Sequence, residues 1–151
     1  MRIGILSDTH GLLRPQARTA LATVDHILHA GDVGDPTILD ALRVLAPLTA
    51  IRGNIDTTGR CAELPPTEAV SLGDKLFYLV HSIKDLDIDP VAAEVAVVVS
   101  GHSHKPLLKQ RGPVLYLNPG SAGPRRFRLP ITMAFVTIVG THIEARIVPL
   151  T

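Results

Sequence analysis

Five apolar runs rich in branched side chains each break off at a residue able to bind a metal, and this pattern limits the chain to few folds. The first run, Ile3-Gly4-Ile5-Leu6, reads as a strand buried on both faces. It ends in Ser7-Asp8-Thr9-His10-Gly11. Asp8 and His10, two positions apart, share a face of a strict strand. A turn at the strand's carboxyl end would fan them around one point, which is where open α/β folds place their ligands. Taken alone, Asp8 reads equally well as a turn cap and His10 as a loop residue, so the remainder of the chain decides.

The second run follows a helical stretch opened by Pro15 and carried by Ala17, Ala20, Leu21 and Val24. It covers Asp25 to Ala30 and stops at Gly31-Asp32. Asp35-Pro36 reads as a helix cap and first position. Ile38, Leu39, Leu42 and Leu45 form that helix's inner stripe, and Pro47 ends it. The third run, Leu48 to Ile51, leads to Arg52-Gly53-Asn54-Ile55-Asp56. Strands alternating with helices predict a parallel sheet with right-handed crossovers. Thr57 to Pro66 has no periodicity and reads as a loop. Ala69–Leu72 and Lys75–Val80 read as a hairpin around Gly73-Asp74, running into His81. Asp89-Pro90 reads as the start of a brief helix. Val95–Val99 leads into Gly101-His102-Ser103-His104. Strands are predicted over Leu107–Gln110 and Val114–Leu117, the latter ending in Asn118-Pro119-Gly120-Ser121. An antiparallel pair, Ile131–Val139 and His142–Val148, closes the chain.

A length of 151 residues fits one domain spanning 1–151. With aromatics at only 3%, the core must be aliphatic. A formal charge of +1 gives no global case for nucleic-acid or membrane binding. Cys61 stands alone, which excludes an internal disulfide and suits a reducing compartment. There is no signal-peptide pattern and no membrane-length apolar segment, so the expected location is the cytoplasm.

Collected from the strand ends, Asp8, His10, Asp32, Asn54, His81, His102 and His104 are all side chains that coordinate metals. They mix oxygen with imidazole nitrogen and include no thiolate. Such a set suits manganese, iron, cobalt, nickel or zinc better than magnesium or calcium. It can serve two ions about 3.5–4 Å apart if a carboxylate bridges them, and the short side chain after Gly31 is suited to that. Each motif is weak alone, since Gly-Asp and Gly-Asn are common turn pairs. Their force lies in the order.

In that order, Asp8-Thr9-His10, Gly31-Asp32, Gly53-Asn54-Ile55-Asp56, His81 and Gly101-His102-Ser103-His104, followed by Asn118-Pro119-Gly120-Ser121, the chain resembles the calcineurin-like metallophosphoesterases. The match is to their small, single-domain prokaryotic phosphodiesterase branch. The resemblance implies an α/β fold of two facing β-sheets flanked by helices, a four-layer αββα sandwich. It implies two divalent transition-metal ions, manganese first, with nickel, iron, cobalt or zinc as alternatives. One ion is then held by Asp8, His10, Asp32 and His104, the other by Asp32, Asn54, His81 and His102. The implied reaction is hydrolysis of a small phosphate ester by in-line attack of a hydroxide bridging the metals, with Asp32, Asn54 and Asp56 as catalytic residues. Two departures stand out. Many relatives have Gly after the residue matching His81, where this chain has Ser82 and Ile83. Larger relatives carry a His after the Asn turn, where this chain has Ile55 and Asp56. Asp56 is left to orient a ligand or act as an acid.

His29 is expected to support the ligands or the structure. His26 and His142 are read as surface residues, and Cys61 as a buried small side chain. Arg52, Arg125, Arg126 and Arg128 are open between phosphate contacts and a structural, solvated or subunit-contact role. The competing function is an interaction scaffold, as in the retromer subunit of similar sequence plan. Intact ligand positions favour catalysis over it. Balanced charge and the lack of an added DNA-binding domain disfavour a nuclease. A homo-oligomer is compatible with the sequence.

Overall fold

The computed structural model describes residues 1–151 and contains two five-stranded mixed sheets packed face to face. The first sheet comprises β1 (Arg2–Leu6), β2 (His26–His29), β3 (Leu48–Ala50), β9 (Thr132–Val139) and β10 (His142–Pro149), in the order β10-β9-β1-β2-β3. The second comprises β4 (Thr67–Leu72), β5 (Lys75–Val80), β6 (Val95–Val99), β7 (Leu107–Arg111) and β8 (Val114–Asn118), in the order β4-β5-β6-β8-β7. In the first sheet β1, β2 and β3 are mutually parallel, with β3 at the edge; in the second, β5, β6 and β8 are parallel and central. Antiparallel β9 and β10 extend the first sheet on the β1 side, and antiparallel β4 and β7 border the second on both sides.

The alternation of side chains along each strand divides the core. Ile3 and Ile5 of β1 point between the sheets, where they join Leu28, Phe77, Leu79, Val97, Val99 and Leu117. Leu6 faces the opposite way, toward the helices, with Leu21, Ile27, Leu39 and Leu42. Gly4 on that helical side lets the chain after α1 pack closely, because a Cβ there would collide with Leu21. Helix α1 spans Pro15–Ala20 and passes into a 3₁₀ turn at Leu21–Thr23. Helix α2 spans Pro36–Leu45, with Asp35 capping the Thr37 N–H at 2.9 Å.

Helical cover is uneven. The outer face of the second sheet, carrying Tyr78, Val80, Val95 and Val98, is covered by Leu86 and Ile88 of the β5–β6 connection. That connection holds a 3₁₀ turn at Ile83–Asp85. The helix expected at Asp89-Pro90 does not propagate. Asp89 does cap, accepting from the N–H groups of Val91 and Ala92, but β6 begins at Val95 and leaves room for a single turn. Conversely, Gly59–Ala62 forms a one-turn helix, α3, inside the expected loop, anchored by buried Cys61. No helix is long and apolar enough to cross a membrane.

Candidate metal centre

The carboxyl ends of β1, β2, β3, β5 and β6 meet at one edge of the sandwich and bring the strand-end residues together. Two groups form there, Asp8–His10–His104 and Asp32–His81–His102, with the ligand atoms of each group within 4.8 Å of one another. Asp32 lies between them: its Oδ2 is 3.2 Å from His81 Nε2 and 3.4 Å from His10 Nε2. Asp8 Oδ1 is 3.3 Å from His104 Nε2 and 3.9 Å from His81 Nε2. Asn54 joins the second group, its Oδ1 3.1 Å from His102 Nδ1. Asp8, Asp32, His81 and His104 are buried, whereas Asn54 and His102 are exposed. The cup is therefore closed below and open above.

The backbone is bent to reach this arrangement. Eight non-glycine residues have positive φ, and five of them are Asp8 (56°), His10 (45°), Asp32 (56°), His102 (69°) and His104 (63°). Side chains other than glycine rarely adopt this conformation, and the strain collects where function over-determines it.

Asp8, Asp32 and His81 are held from behind. Asp8 Oδ2 accepts from Ser7 Oγ at 2.7 Å and from the His102 N–H at 3.0 Å, leaving Oδ1 for the cup. Asp32 Oδ1 accepts from the Ile55 N–H at 3.1 Å. His81 donates from Nδ1 to the Ala30 carbonyl at 2.7 Å, which leaves Nε2 with a free lone pair. Asn118 donates to the Gly101 carbonyl and to Ser103 Oγ, bracing the turn between His102 and His104. Ser121 Oγ donates to the Asp8 carbonyl. Sequence reading did not single out Ser7 or Thr9. Their signal was small hydroxyls continuing an otherwise apolar buried run.

The set fits metal cations on its own chemistry. Asp8 Oδ1, His10 Nε2, His81 Nε2 and His104 Nδ1 are buried and have no hydrogen-bond partner, a costly state that a positive ion relieves at the first three. Burial works against ionised carboxylates, yet the imidazoles win. His10, Ser7, His81 and His104 hold Asp8 below the usual carboxylate range, and His81, the Ile55 N–H and His10 bring Asp32 down to about 2. Burial likewise opposes charge on His81, but Asp32, the Ala30 carbonyl and Asp8 raise its pKa above the ordinary value. In His104 burial prevails, helped by Arg126, and the pKa falls. Both carboxylates are thus ionised at neutral pH and the cup draws positive charge.

Of the two roles open to Asp56, its contacts describe positioning. Its Oδ2 accepts from the N–H groups of Val33 (3.1 Å) and Gly53 (2.9 Å), and Oδ1 from Gly34 (3.0 Å). A carboxylate held by three backbone donors ties the Asp32 loop to the Asn54 loop. His29 is fully buried, as a supporting residue should be. Its Nδ1 accepts from the Gly31 N–H, so Nε2 carries the proton and donates to Thr9 Oγ1, which in turn donates to the Val33 carbonyl. His26 is half-buried against Thr49 Oγ1, and His142 is exposed. Arg52 donates to the Leu64 carbonyl. Arg125, Arg126 and Arg128 are exposed.

Burial holds the His29 pKa down to about 4, against 6.5 for a free imidazole. Between those values the unfolded chain binds a proton that the native ring refuses. The His29 contribution to stability is therefore complete above about pH 6.5 and is lost as pH falls toward 4, by about 3 kcal/mol at most. In metal-free protein, His29→Gln is expected to flatten this part of the stability curve measured by urea unfolding. An unchanged curve would remove His29 as its source.

A two-sheet sandwich whose strand ends pool two carboxylates and four imidazoles in one cup has the build of a metal-dependent hydrolase. The model of the calcineurin-like phosphoesterase superfamily domain matches residues 1–141, and the chain belongs to that superfamily. A probable metallophosphoesterase of Methanocaldococcus jannaschii is 34% identical over 163 aligned residues, covering 99% of this chain and 82% of that protein. A phosphodiesterase of the same organism is 28% identical over 140 residues, covering 80% of this chain and 83% of that protein. In fold, the chain is similar to wild-type Vps29 of Entamoeba histolytica solved with Zn²⁺, with a TM-score of 0.74, 22% identity and 100% coverage of both chains.

Proposed function

We propose that the chain is a phosphodiesterase working with two divalent transition-metal ions. The observation that carries this reading is the set of buried, unpartnered acceptors from separate strands around one point. One ion is assigned to Asp8, His10, Asp32 and His104, and the other to Asp32, Asn54, His81 and His102, with Asp32 shared. Manganese is placed first; nickel, iron, cobalt and zinc suit the same donors. When bound, such ions lower the pKa of water and neutralise charge developing on phosphorus.

The chain's own residues supply the arrangement. Asp8 and Asp32 provide two negative charges in a mostly buried floor. His81 and the Asp8 carboxylate are fixed in orientation by Ala30 and by Ser7 with the His102 N–H. Asn54 and His102 form the open rim, the side from which a substrate phosphate would approach. A diester is favoured over a monoester because the rim opens on two cavities, of about 450 and 540 Å³, that share His102 in their linings. Each has room for an ester group. The M. jannaschii relative named a phosphodiesterase points the same way.

The test is a metal-by-substrate screen on protein purified without chelator. Bis-p-nitrophenyl phosphate is expected to be hydrolysed faster than p-nitrophenyl phosphate, with manganese giving the highest rate and chelation abolishing it. Bound metal without hydrolysis of either ester would favour the scaffold function.

A further inference from the structure

The two cavities beside His102 differ in chemistry. The smaller includes Arg52, Asp85 and Asp87, two carboxylates against one guanidinium. The larger carries Lys84, Lys105 and Arg111 and has no carboxylate in its lining. Its walls are Ile83, Pro106, Leu107 and Tyr116. Ile83 and Leu107 are 45% and 49% exposed, so apolar surface stands open next to the polar cup. The Arg111 guanidinium lies 5.1 Å from the centre of the Tyr116 ring. The floor is preformed, because Asn118 donates to both the Gly101 carbonyl and Ser103 Oγ, and the Lys105 N–H donates to the same hydroxyl. Ile83 follows Ser82, which stands where many relatives have glycine.

We propose that this cleft receives one ester group of the substrate and selects a flat, largely apolar group bearing an anionic substituent. The inference rests on the phosphodiesterase reading and narrows its substrate class. Inorganic phosphate or a small monoester would occupy the cup and leave the apolar walls in water. A neutral apolar group would cover the walls and leave three cations without a counter-charge. An anionic, ring-bearing group satisfies both, with its ring against Tyr116 and Ile83 and its charge toward Lys84, Lys105 and Arg111. All three cations are exposed, so substitutions there leave the core untouched.

The test uses the 151-residue chain and two readouts. The dye 8-anilinonaphthalene-1-sulfonate, a flat apolar anion, reports occupancy by fluorescence without turnover. Wild type is expected to bind one dye per chain, and the double variant K84E/K105E to bind at least tenfold more weakly. Lys75→Glu, on β5 away from the cleft, serves as control, and equal weakening by it would overturn the inference. In parallel, kcat/KM is measured for two p-nitrophenyl phosphodiesters whose other group is ethyl or 4-carboxybenzyl. Wild type is expected to prefer the carboxybenzyl ester at least tenfold, and K84E/K105E to lose that preference. Dye binding without hydrolysis of either ester would sustain the cleft and overturn the phosphodiesterase reading. Hydrolysis of both esters at equal kcat/KM would overturn the cleft and sustain the reading. Dye binding that vanishes as the chain dimerises would assign this face to a second copy, against the inference.

Discussion

Asp32→Ala is expected to leave a folded protein with less than one tightly bound metal per chain and with kcat/KM for bis-p-nitrophenyl phosphate reduced by at least ~10³. The size of the effect follows from position. Asp32 is the one carboxylate whose oxygen lies within 3.5 Å of imidazoles from both groups, at 3.2 Å from His81 and 3.4 Å from His10. Removing it takes away half of the cup's carboxylate charge. The two groups then have no common ligand to hold their charges together. Folding is spared because the lost backbone contact is a single hydrogen bond from the Ile55 N–H, worth about 1 kcal/mol. Asp32→Asn separates charge from shape: the amide oxygen can still accept from Ile55, but the negative charge is gone. Metal content by atomic emission and initial rates on the same samples decide the matter. Full metal content and full activity in Asp32→Ala would mean that Asp32 is not the shared ligand.

The candidate ligands were legible in the sequence because they sit where apolar runs give out, and the parallel arrangement then forces those ends to one edge. Asp8, Asp32, Asn54, His81 and His102 could be read in this way from five short stretches. The division of strands between two sheets was not legible. Val97 and Val99 face the other sheet, while Val95 and Val98 face outward, because a register shift between Leu76 and Phe77 disturbs the alternation of β6 against β5. Strand periodicity alone cannot report such a shift. The role of Asp56 was equally hidden. Its neighbours in sequence allow a residue that orients a ligand or one that acts as an acid; its backbone donors Val33 and Gly34 come from a loop more than twenty residues earlier. At Asp89 the cap was legible but the helix length was not, since it depends on where β6 must begin.

Gly53→Ala is expected to weaken metal binding and reduce kcat/KM by about 10²-fold, through steric displacement and not through backbone strain. Gly53 does not have positive φ, so its glycine is not required by its own conformation. It is required by what lies against it: a Cβ there would collide with Asp32 Oδ1 and the Asp32 backbone N. The same pattern recurs around the cup. A Cβ on Gly31 would lie 2.7 Å from His81 Nδ1, and one on Gly101 would strike Ser7 Oγ and lie 2.6 Å from Asp8 Oδ2. At each of these positions a glycine lets one strand's end pack against the ligand carried by another. A methyl at Gly53 must push Asp32 away from Ile55, and loss of such a supporting contact commonly costs 10–100-fold in affinity or activity. Gly140→Ala supplies the contrast. Gly140 has φ of +61° but nothing within 4 Å of its would-be Cβ. That variant should therefore lose about 1 kcal/mol of stability and keep its metal and its rate. If Gly53→Ala and Gly140→Ala behave alike in metal content and kcat/KM, close packing of strand ends is not what sets the ligand geometry.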